Sequence, residues 1–126
     1  MKWVGFDFDG TLADKSIEPV PRIVQKLHYY LQHGILCKVV TARADKTRPD
    51  YIQKITEVYK FLFDNGFPPI EVTNSKDHEM VALYDDRAIS VKSNLGHILV
   101  DDSWVMKELE DGVTRLPWSN LHRTLS

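Results

Sequence analysis

Two nearly continuous apolar runs, "KWVGFDF" and "ILCKVV", each followed by an amphipathic stretch, constrain this chain more than any other feature. Apolar residues on both faces of a short run suit a strand buried within a parallel sheet, where the simple apolar/polar alternation is lost. Between the runs, Pro21 can occupy the first turn of a helix that buries Ile23, Val24, Leu27, Tyr30 and Leu31, and Gly34 stands where a left-handed cap belongs. After the second run the spacing predicts another helix, with Thr47 as N-cap and Pro49 in its first turn. Its buried face is expected to be Ile52, Ile55, Val58, Tyr59, Leu62 and Phe63, and Gly66 ends it. A short strand "IEVT", the turn "NSKDHEM" and a fourth strand "VALYDD" follow. Strand and helix alternating in this way predict an α/β fold with a central, mostly parallel sheet and right-handed crossovers. Further on, "HILV" is expected as a fifth, edge strand and "SWVMKELE" as a helix capped by Asp102 or Ser103. Trp118 and Leu121 are expected to pin the tail to the body.

With 126 residues, 43% of them hydrophobic, the chain can bury one core, so residues 1–126 are read as a single domain. Sixteen basic and eighteen acidic side chains leave a net charge of -2, which argues against a scaffold held to nucleic acid by bulk positive charge. The single cysteine, Cys37, lies inside "ILCKVV" and is expected as a small buried hydrophobe in a reducing, cytoplasmic protein. Lys2 followed at once by a strand does not resemble a secretory leader, and no apolar run is long enough to span a membrane. No internal repeat or low-complexity tract is evident.

The first run ends with Asp7 and Asp9, two residues apart and therefore on the same side of an extended chain. Two carboxylates crowded into one volume are costly unless a cation or a shared proton relieves them. In an open parallel sheet, ligands bind beyond the carboxyl ends of the strands. Those ends here carry Asp7, Asp9 and Thr11, then Thr41 and Arg43, then Lys76, then Asp85, Asp86 and Arg87. Any one of them alone is an ordinary loop residue, but the set is harder to dismiss.

These residues are similar to the four motifs of the haloacid dehalogenase-like superfamily of phosphohydrolases, in order: "DFDGT", "VVTAR", Lys76 in "TNSKD", and the acidic pair of "LYDDR". The resemblance covers roughly residues 2–91 and implies a Rossmann-like three-layer sandwich. It also implies that Asp7 is the nucleophile, forming an aspartyl-phosphate. Asp9 would protonate the leaving oxygen and later take a proton from water, a task that a pKa raised by crowded carboxylates would suit. Dehalogenase members lack this second acid, so Asp9 points to phosphate. Carboxylates converging on one point suit Mg2+. Asp7 and Asp85 would bind it, with the backbone carbonyl of Asp9, while Asp86 would act through water or orient the others; which of Asp85 and Asp86 touches the metal stays open. Lys76 would neutralise the phosphoryl oxygens, or is a solvated turn lysine. Thr11 and Thr41 would offer hydroxyls to phosphate.

Arg43 and Arg87 are similar in position to two arginines of the phosphatase half of bacteriophage polynucleotide kinase, and a guanidinium can fork a phosphate. Arg87 could equally brace Asp85 or Asp86. No GxxxxGK[ST] loop is present, so no kinase half is expected. His28, His33, His78, His97 and His122 have no zinc-site spacing, and only His78 lies near a motif. The lengths between motifs hold one loop, one helix and one strand each, leaving no room for a cap domain. A capless site is open to bulky substrates, or could be covered by a second subunit. Lys15, Arg43, Lys46 and Arg48 could guide an anion to it. The expectation is a capless, Mg2+-dependent phosphomonoesterase acting on a phosphorylated substrate, such as a polynucleotide 3′-phosphate or another large molecule. The alternatives are a phosphatase of a small metabolite or nucleotide, and a non-catalytic phosphate- or partner-binding module.

Overall fold

A computed structural model describes residues 1–110; the tail contacts expected of Trp118 and Leu121, and His122, lie outside the described residues. The chain forms two compact units, one of residues 1–87 and one from residue 88 onward. In the first, β1 (Trp3–Asp7), β2 (Leu36–Val40), β3 (Glu71–Thr73) and β4 (Met80–Tyr84) make an all-parallel sheet in the order β3-β2-β1-β4. Asp7 pairs with Val40, Val40 with Thr73, and Phe6 with Tyr84. The strands thus end level with one another, and the residues that follow them emerge along a single edge.

Helices α1 (Pro21–Gln32) and α2 (Tyr51–Asp64) make the crossovers from β1 to β2 and from β2 to β3. Both crossovers step across the sheet in the same direction, so right-handed connections put both helices on one face. A common core confirms this: Val4, Phe6, Cys37 and Val39 of the sheet pack with Leu27 of α1 and Val58, Phe61 and Leu62 of α2. His28 of α1 stacks on Phe67, just beyond α2, with ring centroids 3.9 Å apart. The opposite face carries Trp3 and Lys38, and Val81 of β4 is exposed. The Trp3 ring lies over Gly5, whose missing Cβ leaves room for it, and the Lys38 ammonium sits 4.5 Å from the indole centroid. The Trp3 indole N–H donates to Asp77 in the connection that returns from β3 to β4. Within this unit the described residues form an all-parallel sheet with a helix pair on one face, an α/β arrangement compatible with the Rossmann-like fold expected.

The prediction for α2 is corrected in two respects. The helix starts at Tyr51, because both the N–H and the hydroxyl of Thr47 donate to the Asp45 carboxylate and hold the chain in a turn. Its buried residues are Val58, Phe61 and Leu62, whereas Ile52, Tyr59 and Phe63 are exposed.

In the second unit "HILV" forms no strand of the sheet; Ile98 makes only an isolated antiparallel bridge to Val91 across a turn closed by the Lys92 N–H and the His97 carbonyl. Helix α3 runs Trp104–Glu110, and ahead of it the Asp101 carboxylate accepts the Ser103 N–H. Among the described residues no helix is long and apolar enough to cross a membrane.

Candidate functional site

After β1 the chain folds back at once: the N–H groups of Thr11 and Ala13 both donate to the Phe8 carbonyl, and Gly10 donates to that of Ala13. This buries Leu12 and Ala13 in the core and sets Thr11 beneath the end of the strand. The Thr11 hydroxyl lies 3.3 Å from an Asp7 oxygen and 3.4 Å from an Asp86 oxygen, and accepts the Asp86 N–H at 3.1 Å. Thr11, expected to face substrate, is instead buried and ties the loop after β1 to the loop after β4. Gly10 makes that approach possible. Its φ is +81°, and a Cβ there would collide with the Asp86 carboxylate.

The result is a cluster in which one carboxylate oxygen from each of Asp7, Asp85 and Asp86 lies within 4.8 Å of the others. Burial, the Asp85 charge and a hydrogen bond to Asp86 push Asp7 up to about 7 from its ordinary 3.8. The Arg87 N–H donates to one Asp85 oxygen at 2.8 Å, orienting that carboxylate. Three acidic oxygen donors with no cationic side chain among them fit a hard divalent cation, and a cation between them would relieve the repulsion that raises Asp7.

Asp9 stands apart from this cluster. Arg43 forks it, with Nε and Nη2 each 2.8 Å from a carboxylate oxygen. The third nitrogen of the same guanidinium, Nη1, donates to Glu57 of α2 at 2.9 Å. Its flat side lies over the Phe8 ring, 5.2 Å from the centroid. Two carboxylates hold the Arg43 proton well above the usual range. The crowding expected around Asp9 is thus found around Asp7, and the arginine expected to fork a phosphate is already committed to protein carboxylates.

Asp7, Asp9, Thr41, Ala42, Asp85 and Arg87 line a cavity of about 400 Å3 at the carboxyl ends of the strands. Thr41 is buried; its N–H donates to Thr73, and its hydroxyl accepts the Arg43 N–H that begins a single 3-10 turn, Ala42–Ala44. Arg87 is exposed and, among the described residues, its side chain forms no ion pair with Asp85 or Asp86. The brace reading of Arg87 is therefore met by its backbone N–H rather than by its guanidinium. Lys76 is exposed and does not line the cavity. It lies in the connection already descending to Asp77, which bonds Trp3 at the start of β1. His78 is exposed beside Glu79, whose carbonyl accepts the Trp3 N–H at the opposite end of the sheet.

Sequence reasoning gave no role to Glu57 or Gly10. The glycine sits inside the quoted "DFDGT", so its motif position was a signal. Glu57 had none, because one glutamate on an amphipathic helix is ordinary until the loop it meets is known. Comparison with family models, with curated proteins and with solved structures finds no match for this chain.

Proposed function

We propose that the protein is a Mg2+-dependent phosphomonoesterase whose nucleophile is Asp7. The observation that carries this reading is the Asp7–Asp85–Asp86 cluster, two of whose members, Asp7 and Asp85, line a cavity that also presents Asp9 and Arg87. A mere anion-binding module has no use for three converging carboxylates, since they repel phosphate. Asp7, Asp85 and Asp86 would hold the cation, which supplies charge neutralisation for the nucleophile and the phosphoryl oxygens.

In the first step an Asp7 oxygen forms a bond to phosphorus, the ester P–O bond breaks, and the leaving oxygen takes its electron pair together with the Asp9 proton. In the second, water attacks the aspartyl-phosphate, gives its proton to Asp9, and the Asp7 carboxylate is restored. The Arg87 guanidinium on the cavity wall, unpaired among the described residues, would fork the phosphoryl oxygens, the part first expected to be shared with Arg43. No step is assigned to Lys76, which stands outside the cavity wall. With Arg43 committed elsewhere, the case for a polynucleotide 3′-phosphate rests on Arg87 and on the open site. We therefore propose phosphomonoesters on bulky carriers as the substrate class, in a reducing cytoplasmic setting consistent with the buried Cys37.

The test is hydrolysis of an aryl phosphate by wild type and Asp7→Asn, with Mg2+ and with chelator. Turnover that needs Mg2+ and falls at least roughly a thousandfold in Asp7→Asn is expected. Equal rates in the two proteins would remove the reading. A panel of 3′- and 5′-phosphorylated oligonucleotides, nucleotides and sugar phosphates then separates large from small substrates.

A further inference from the structure

We infer that Glu57 is a positioning residue for proton transfer, acting through Arg43 on Asp9; this rests on the phosphatase reading and deepens it. Asp9 is exposed, with 55% of its side chain open to solvent, and nothing but Arg43 holds its carboxylate among the described side chains. The Arg43 side chain is 13% exposed. A guanidinium bonded along one edge alone can pivot about the carboxylate it forks. The bond from Nη1 to Glu57 fixes the far corner, and the Phe8 ring fixes the plane. Glu57 is itself fixed, because its second oxygen accepts from the Gln53 amide at 3.3 Å one turn earlier. Helix α2 beneath it is anchored in the core by Val58, Phe61 and Leu62. The chain Gln53–Glu57–Arg43–Asp9 therefore transmits the rigidity of a packed helix to an exposed acid.

The consequence is chemical. When the ester P–O bond breaks, a phenolate can leave without much help, but an alkoxide needs the Asp9 proton as it departs. Misplacing Asp9 should slow alkyl esters far more than aryl esters, while a general loosening of the site would slow both alike.

The experiment compares kcat and KM of wild type, Glu57→Ala and Glu57→Gln on an aryl phosphate and an alkyl phosphate. For Glu57→Ala we expect kcat on the alkyl ester to fall roughly tenfold or more, the aryl ester to lose less than about threefold, and KM to stay within about twofold. Glu57→Gln keeps an acceptor for Nη1 and should recover most of the loss; it also serves if the alanine variant folds poorly. Equal losses on both esters, no loss on either, or a glutamine variant no better than alanine would overturn the inference. A wild type inactive on both esters would instead overturn the phosphatase reading, and the inference with it.

Discussion

Asp7 carries opposite demands: catalysis as proposed needs its carboxylate ionised, while burial and Asp85 favour its protonated form. The sign of the stability effect follows directly. The folded chain binds this proton up to about pH 7, whereas the unfolded chain releases it near the ordinary 3.8, so between these values the folded state holds more protons. Asp7 thus contributes stability that is fully present below about pH 4 and lost as pH rises through about 7. A three-unit shift corresponds to ~4 kcal/mol, and discounting for partial solvent exposure leaves on the order of 1–2 kcal/mol. With chelator present, Asp7→Asn should melt several degrees above wild type at pH 8, and the gap should close towards pH 4. Melting curves across this range check it; a gap independent of pH would show that Asp7 is not the group that titrates. At this scale the sequence was informative about Asp7, Asp85 and Asp86, because the ends of adjacent parallel strands fix where they emerge, whereas the two-residue spacing of Asp7 and Asp9 did not bring Asp9 into the cluster. It was not informative about Arg43. A loop arginine next to a phosphate motif reads as a phosphate ligand, and only folding brings Glu57 and Asp9 to either side of it.

Elements were legible where apolar residues had one consistent direction. The face of α1 has a single apolar stripe, and its start at Pro21 and the left-handed Gly34 beyond it are as expected. In α2 the run Phe61-Leu62-Phe63 points in three directions a hundred degrees apart, so periodicity cannot choose between stripes. Ile52, Tyr59 and Phe63 make one line along the helix, and Val58, Phe61 and Leu62 make another; the sheet selects the second by the space beside Phe8. Phe61 is 4% exposed and meets the Phe8 ring edge to face at 5.1 Å, while Phe63 is 82% exposed. Phe61→Ala should therefore cost about 3–5 kcal/mol, and Phe63→Ala less than about 0.5 kcal/mol. Urea midpoints at constant slope measure both. Comparable losses would mean that the outward phase of Phe63 is wrong. The start of α2 was misplaced for a different reason: Asp45 outcompetes the helix for Thr47, and Arg48 holds the Asp50 carboxylate away from the cap position.

For the whole chain, the boundary near residue 87 left little mark in the sequence. "DDRAISVKSN" has neither the proline and glycine of a linker nor a shift in charge, so length and hydrophobic content favoured one domain of 1–126. The division of labour is nevertheless sharp. Among the described residues, every residue of the buried cluster, and every side chain of the candidate metal and proton-transfer groups, belongs to residues 1–87. The four strands and both crossover helices do as well. If that unit holds its own core, a chain ended after Arg87 should still unfold cooperatively, and Mg2+ should still raise its melting temperature. At a concentration about tenfold above its dissociation constant, the ion adds ~1.4 kcal/mol, or several degrees for a chain of this size. The same rise should vanish in Asp85→Asn made in either chain length. Calorimetry with Mg2+ and with chelator reads both effects. A shortened chain that melts without a cooperative transition would mean that residues beyond 87 are needed to complete the fold. One that folds but ignores Mg2+ while the full chain responds would mean that they complete the cation site.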